Sequence, residues 1–369
     1  MGTKRNRYSL DEDLILEIFS RLPVKSLMRF RCVSKEWYSL TKNSYLINIH
    51  LWRSDSKLCY LLAYTSFRDE RFTKPKIGIS RLGDEATDIV SLNLSFLYCY
   101  TNSINSITIV GSSNGLVCLV TRAQKKTRSY MDGGEIIIWN PATKQSRSLP
   151  KPVIAENFNR HDGATFGFGF SDHNTNDYKL VGIFRKQVQV FTRSTNCWKE
   201  IEGKGFPSCK YCYRDDWISS KNGVLYWFAT TSGPMDRFVL SFSLRDEVFH
   251  VIKLPSWGFL NRRLLSWKNS LACIIGNNEQ VWAKTTDDSA WTKQFSIDSS
   301  ILRRGEIFGI WKDQVVIWRT EKSRNDPLIG LFLYDPKTKK RGQWIPKHEV
   351  NNYYGYVKLV DYVESLVLV

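Results

Sequence analysis

The apolar positions of this 369-residue chain change their period once, near residue 57. Before that point they repeat as a helix does. Leu14, Ile15, Ile18, Phe19 and Leu22 fall on one broad face. Ser9-Leu10-Asp11-Glu12 has the Ser-x-x-Glu form of a capping box, in which each side chain bonds the other residue's backbone N–H. Asp11, Glu12 and Asp13 then suit the positive end of the helix dipole. Pro23 predicts the helix end, because the residue before a proline is pushed out of the α region. A second short helix turns Leu27, Phe30 and Met28 inward, and Ser34 is the expected cap of a third bearing Trp37 and Leu40. Half of the residues between Leu10 and Leu40 are apolar, more than three short helices hide among themselves. A unit this small buries only about 60% of its unfolded surface. Some of Leu14, Ile15, Leu16, Ile18, Phe19 and Leu22 must therefore meet either the rest of the chain or another protein.

After residue 57 two patterns alternate. One is an apolar hairpin with a polar turn: SSNGLVCLV at Asn114, SKNGVLYWF at Asn222, WKNSLACII at Asn269, WKDQVVIW at Asp313 and DYVESLVLV at Glu364. The other is an apolar strand, a turn and a return strand, as in IIIWNPATKQSRSLP and LFLYDPKTKKRGQWIP. Turn-to-turn distances are 108, 47, 44 and 51 residues, and the first is two units, with a turn near Asn176 between them. Periods of about 40–50 residues with four strands each mark propeller blades. Five repeats lie between about 107 and 347. The strands of 57–94 and a hairpin in 353–369 are expected to combine into a sixth, closing the ring and removing exposed edges. The predicted fold is mostly β: a small three-helix head, then a β-propeller-like body of about six four-stranded blades.

Composition agrees with this division. An aromatic share of 14%, with 13 Trp, favours strands. No apolar run approaches the roughly 20 residues that span a bilayer, and MGTKRNRYSL leads into no uninterrupted apolar segment. A cytosolic or nuclear protein without a membrane partner is expected. Eight cysteines at irregular spacing then imply reduced thiols. The one CxxC, Cys209 to Cys212, has only Cys197 and His173 nearby, so no metal and no other cofactor is expected. Net charge is +17, and residues from 52 onward hold 44 Lys/Arg against 31 Asp/Glu, leaving +13 on the body. Such a field favours acidic partners.

The segment SLDEDLILEIFSRLPVKSLMRFRCVSKEWYSLTKNSYLINIHL resembles the F-box of the large plant F-box family. It departs from the family where Leu10-Asp11 replaces the usual Leu-Pro and where Ser44 stands in place of a common proline. GSSNGLVCL, IWNPATKQSRSLP and FGFGFSDHNTNDYKLVGI resemble the F-box-associated, kelch-like domain that follows this F-box. The resemblance divides the chain into an F-box at 4–51 and a kelch-like propeller at 52–369. It implies docking on a Skp-type adaptor, and through it on a cullin–RING ubiquitin ligase, with the propeller capturing a target for ubiquitination and degradation. The residues implied for the adaptor are Leu14, Ile18, Leu22, Pro23, Val24, Leu27, Phe30, Val33 and Trp37, some of them internal core. The surplus apolar face then has an owner, since half of its core belongs to another protein.

Other chemistries fit less well. Gly111-Ser112-Ser113-Asn114-Gly115 matches the GxSxG nucleophile elbow, which needs a helix after it, and LVCLV predicts a strand. No enzyme is expected. The basic residues are scattered over turns rather than along one groove, which argues against a nucleic-acid-binding propeller. A scaffold that binds the adaptor without a ligase is the alternative. Target binding is expected on three long basic connections, RAQKKTRSYMDGG, EGKGFPSCKYCYRDD and RTEKSRNDP. The candidates are Lys125, Lys126 and Arg128 in the first. In the second they are Tyr211, Tyr213 and Trp217, with Phe206 beside them, as anchors for an acidic or phosphorylated protein.

Overall fold

The computed structural model of the protein describes residues 11–54, 59–66, 76–82, 89–99, 106–122, 134–156, 164–172, 177–184, 187–207, 211–219, 223–231, 237–255, 263–268, 270–275, 280–284, 290–302, 305–311, 313–322, 327–345 and 357–369. Four helices open it: α1 (Glu12–Arg21), α2 (Val24–Phe30), α3 (Lys35–Leu40) and α4 (Ser44–Ser54). Helix α1 starts with Asp11 in the N-cap position and no side-chain cap bond, so the expected capping box is set too early. Ser9 itself lies outside the described residues. The helix ends at Leu22, extended at ψ 148°, as Pro23 requires. Ser34 caps α3 as expected, its Oγ accepting from Trp37 N at 3.1 Å.

Helix α4 corrects the expected three-helix head. It has no one-sided apolar stripe to betray it: Leu46, Ile47 and His50 are buried while Tyr45 and Trp52 are exposed. Its start is locally encoded, because Asn43 Oδ1 accepts from Tyr45 N at 2.8 Å. Ser44 holds the first helical position, where the missing N–H of a proline would cost nothing, which accounts for the proline usual there.

Among the described residues, the remainder is built on six four-stranded antiparallel sheets, with one further short α-helix at Ser299–Leu302. The chain first lays down β1 (Cys59–Ser66), β2 (Lys76–Leu82) and β3 (Ile89–Ser91). Blade 1 holds β4 (Ser106–Ser113), β5 (Leu116–Arg122), β6 (Ile136–Asn140) and β7 (Gln145–Leu149). Blade 2 holds β8 (Ala164–Phe170), β9 (Tyr178–Phe184), β10 (Gln187–Thr192) and β11 (Cys197–Ile201). Blade 3 holds β12 (Tyr211–Ser219), β13 (Val224–Thr230), β14 (Arg237–Ser243) and β15 (Val248–Lys253). Blade 4 holds β16 (Leu264–Trp267), β17 (Ser270–Ile275), β18 (Gln280–Lys284) and β19 (Trp291–Ser296). Blade 5 holds β20 (Gly305–Trp311), β21 (Gln314–Lys322), β22 (Pro327–Asp335) and β23 (Lys340–Ile345). The sixth blade is composite: β24 (Val357–Tyr362) pairs with β1, Cys59 opposite Tyr362, in the order β24-β1-β2-β3. The first strands pack side by side in the ring β4, β8, β12, β16, β20, β24 and back to β4. Ring closure by both ends of the chain is thus as expected, but through one strand. The hairpin expected at Glu364 is instead the end of β24 followed by a non-regular tail, 363–369.

Local chemistry fixes the repeat. The outer turns Asn140–Lys144 and Asp335–Lys339 share the pattern Asx-Pro-x-Thr-Lys, and the first side chain accepts from the backbone two and three residues on. In four blades the fifth turn position is left-handed: Lys144, Asn196, Glu247 and Lys339 have φ of 61°, 53°, 55° and 55°. Neighbouring blades are tied at the rim, where Trp198 Nε1 donates to Pro150 O at 2.7 Å and Trp291 Nε1 to Lys253 O at 2.8 Å.

Antiparallel order sorts the connections by parity. Links from first to second and from third to fourth strands open on one face, and all others on the opposite face. Strand β1 starts, and the tail leaves β24, on the first of these. The helical head therefore joins the ring on that side, here called the head face.

Candidate functional site

The head has an inside and an outside. Inside, Phe19, Phe30 and Trp37 form an aromatic triad with centroids 5.1–5.5 Å apart, over Val24 and Leu27, which are fully buried. Burial of this kind stabilises by about 1.5–3 kcal/mol per side chain. Helix α4 is strapped to α1 by polar contacts. Arg53 bonds both carboxylate oxygens of Glu17 at 2.9–3.0 Å and also meets Ser20 Oγ, and Arg21 adds two more bonds to Glu17 through Nε and Nη2. These guanidinium contacts, Arg53 first and then Arg21, hold the Glu17 carboxyl below the usual carboxylate range. His50 Nε2 lies 2.9 Å from Leu22 O, occupying a carbonyl that the end of α1 leaves without a helical partner.

Outside, Leu14 and Ile18 stand one turn apart on α1, 48% and 44% exposed, and Val33, after α2, is 64% exposed. Pro23 is also exposed, while Leu22, Phe30 and Trp37 are half-buried. The nine residues singled out in the sequence are therefore sorted. Val24 and Leu27 are core, Leu22, Phe30 and Trp37 are half-buried, and Leu14, Ile18, Pro23 and Val33 are exposed. Asp11 is exposed ahead of α1, and Leu10 lies outside the described residues. Sequence reasoning passed over Tyr38, Tyr45 and Trp52, which are also exposed; an aromatic residue on the polar side of a short helix is the signal that marks them.

The target-binding candidates have separate fates. Lys125, Lys126 and Arg128 lie outside the described residues, as do Cys209 and His173. Tyr211, Tyr213 and Trp217 are not in a connection: they belong to β12, an inner strand of the ring. Arg214-Asp215-Asp216 interrupts the apolar alternation there, and the pairing register shifts between Cys212 and Trp217, which is why the stretch resembles a loop. Phe206 is packed, its ring 4.9 Å from that of Phe249. Gly205 beside it, at φ +74°, comes so close to Phe249 O that a Cβ would lie 2.1 Å away. What the topology does supply is a common side. The strands that flank the three basic connections, β5 and β6, β11 and β12, β21 and β22, all have their connected ends on the face opposite the head.

The GxSxG serine, Ser113, ends β4 and is followed by a two-residue hairpin turn, Asn114-Gly115, into β5. That is a hairpin, not the strand-to-helix turn of a nucleophile elbow. Among the described residues no cluster of three or more His, Cys, Asp or Glu could hold a metal ion. No described helix is long and apolar enough to cross a membrane.

Comparison with known proteins matches these two parts separately. Residues 8–48 match the F-box domain and residues 81–344 the F-box associated beta propeller domain. F-box protein At2g21930 of Arabidopsis thaliana is 29% identical over 323 residues, 82% of this chain and 76% of that protein. F-box protein At3g07870 of the same plant is 29% identical over 327 residues, covering 78% and 72%. With a further Arabidopsis F-box protein, 27% identical over 289 residues, the match spans 74% of this chain and 66% of the relative. Helical head, propeller body and both profiles agree: the chain belongs to the plant F-box proteins that carry an F-box-associated β-propeller domain.

Proposed function

We propose that the chain is the substrate-recognition subunit of a Skp–cullin–F-box ubiquitin ligase. The F-box, taken as 4–51, binds a Skp-type adaptor, and the kelch-like propeller, taken as 52–369, binds a target protein. The observation that carries this reading is that Leu14, Ile18 and Val33 remain in water although the head has a packed core of its own. Val24 and Leu27 fix that surface from beneath, and Leu22, Phe30 and Trp37 complete it. The protein makes and breaks no bonds. It raises the effective concentration of target lysines near a ubiquitin-conjugating enzyme, and proximity is its contribution to rate. Target binding falls to the propeller, where Lys125, Lys126 and Arg128 supply charge for an acidic or phosphorylated segment and Tyr211, Tyr213 and Trp217 supply anchors. The place of action is the cytoplasm or nucleus.

The test is recovery of tagged full-length chain from plant extract. Adaptor and cullin should be recovered together, and Ile18→Asp with Val33→Asp should lose both while the propeller stays folded by circular dichroism. Adaptor without cullin would favour the scaffold reading. Recovery of neither, even with the unsubstituted chain, would sink the proposal.

A further inference from the structure

The segment that follows β24 is held more closely than a loose end requires. Ser365 is fully buried, and its Oγ donates to Asn114 O at 2.7 Å in the β4–β5 turn. Asn140 Nδ2, in the β6–β7 turn, donates to Ser365 O at 3.1 Å and Val367 O at 2.9 Å. Gly115, at φ +78°, admits the segment at a distance no side chain would allow: a Cβ there would lie 2.2 Å from Ser365 Oγ and 2.6 Å from Val363 O. Leu366 and Val367 are buried.

The matching turn of blade 5 provides an internal contrast. Asp335 caps its turn through Oδ1 as Asn140 does, but a carboxylate has no N–H to donate. The amide of Asn140 therefore does something the turn itself does not need. It recognises two carbonyls of the tail.

The tail also reaches the head. Leu366 and Val367 share one continuous apolar cluster with Phe19, Val24, Leu27, Leu46 and Ile47 of the helices, and with blades 1 to 3; Leu368 and Val369 pack against it. Among the described residues the one broad helix packing in the head is α1 on α4, and no head helix packs broadly on a strand. The tail is thus anchored by hydrogen bonds to blade 1 and by apolar burial in the cluster that holds the head.

We propose that residues 363–369 are a strap that fixes the head at one orientation on the propeller, with Asn140 and Gly115 as its seat. The strap ties the orientation of the head to closure of the ring, since it is continuous with β24. It does not depend on the ligase reading.

Exposed Cys32 in the head and Cys197 in blade 2 provide label positions. In the full chain Cys99, Cys209 and Cys212 are replaced by Ser, while Cys59, Cys118 and Cys273 are buried and stay. Spin labels on Cys32 and Cys197 report the head-to-body distance by pulsed electron resonance. Asn140→Asp keeps the Oδ1 acceptor of the turn and removes both bonds to the tail. Amide exchange in 363–369 should rise by a factor of about 5 to 150, the range for two lost hydrogen bonds. The distance distribution, narrow in the parent, should broaden, while amides of β4–β7 stay protected. Deletion of 366–369 leaves Asn140 and its turn unaltered and decides the matter if Asn140→Asp fails to fold or fails to free the tail. A distribution already broad in the parent, or one still narrow after the tail is freed or deleted, overturns the strap.

Discussion

Replacing both Leu14 and Ile18 with Ala separates surface from core in the head. Fully burying such a side chain is worth about 1.5–3 kcal/mol. In the free chain Leu14 and Ile18 are 48% and 44% exposed, so each has roughly half of that, about 0.7–1.5 kcal/mol, still to gain when a partner covers it. The pair then supplies about 1.5–3 kcal/mol of binding, or about 10- to 150-fold in Kd. Stability should hold, because neither side chain fills the core and Ala is at least as good a helix former as Leu or Ile in α1. Leu27→Ala is the counterpart. That side chain is 0% exposed, and its removal should cost about 2–5 kcal/mol of stability, with binding lost because the head unfolds. Titration calorimetry of the full chain against a recombinant plant Skp-type adaptor, beside thermal unfolding of each variant, measures both quantities. The reasoning is refuted if the Leu14/Ile18 variant binds within about threefold of the parent, under ~0.7 kcal/mol. It is equally refuted if its affinity falls only in step with its melting temperature.

Gly115→Ala should destabilise the protein by more than about 1 kcal/mol, since it adds left-handed strain to the collision with Ser365; a melting temperature equal to the parent's would contradict the close approach. The Glu17 carboxyl is depressed by Arg53 and Arg21, so its contribution is complete above the ordinary carboxylate range and lost as pH falls through the lower folded value. Glu17→Gln should therefore weaken the head at neutral pH and flatten its acid loss of stability, as followed by melting across an acid series. Burial drives the Cys118 thiol far above its ordinary value. Under native conditions an alkylating reagent should modify Cys32 and Cys197 and spare Cys59, Cys118 and Cys273; native labelling of Cys118, read by peptide mass spectrometry, would mean that blade 1 opens.

What the chain made legible was local. The Ser34 cap, the Pro23 stop and the Asn114-Gly115 hairpin each depend on side chains within four residues, so spacing alone located them. The blade count followed because the turn chemistry recurs: NPATK and DPKTK share one pattern, and four blades keep a left-handed residue at the fifth turn position. Local reasoning failed where a distant contact decided the outcome. Helix α4 lacks a stripe because its faces meet α1, solvent and the apolar cluster at once. Val363–Val369 has the apolar content of a return strand, but its polar groups bond Asn140 and Asn114 of blade 1 instead. Tyr211 to Trp217 looked like a loop because three charges interrupt a strand whose pairing with β13 shifts register there. In the head the apolar residues were legible and their inside and outside were not, because exposure of Leu14 against burial of Leu27 is a property of the assembled helices.

The composite blade sets a timetable for synthesis. Cys59 and Tyr362 are 303 residues apart, and chains are made at about 5–20 residues per second. The open edge of β1 therefore waits about 15–60 s for its partner, while the helical head and five later blades are already available. A message cut short before codon 357 would yield a chain with an F-box, an unclosed ring and a bare strand edge. Such a product could still occupy an adaptor while presenting a defective receptor and an aggregation-prone seam. Pairing of β24 with β1 is thus the step that closes the ring, and it does so at the blade that follows the head in the chain.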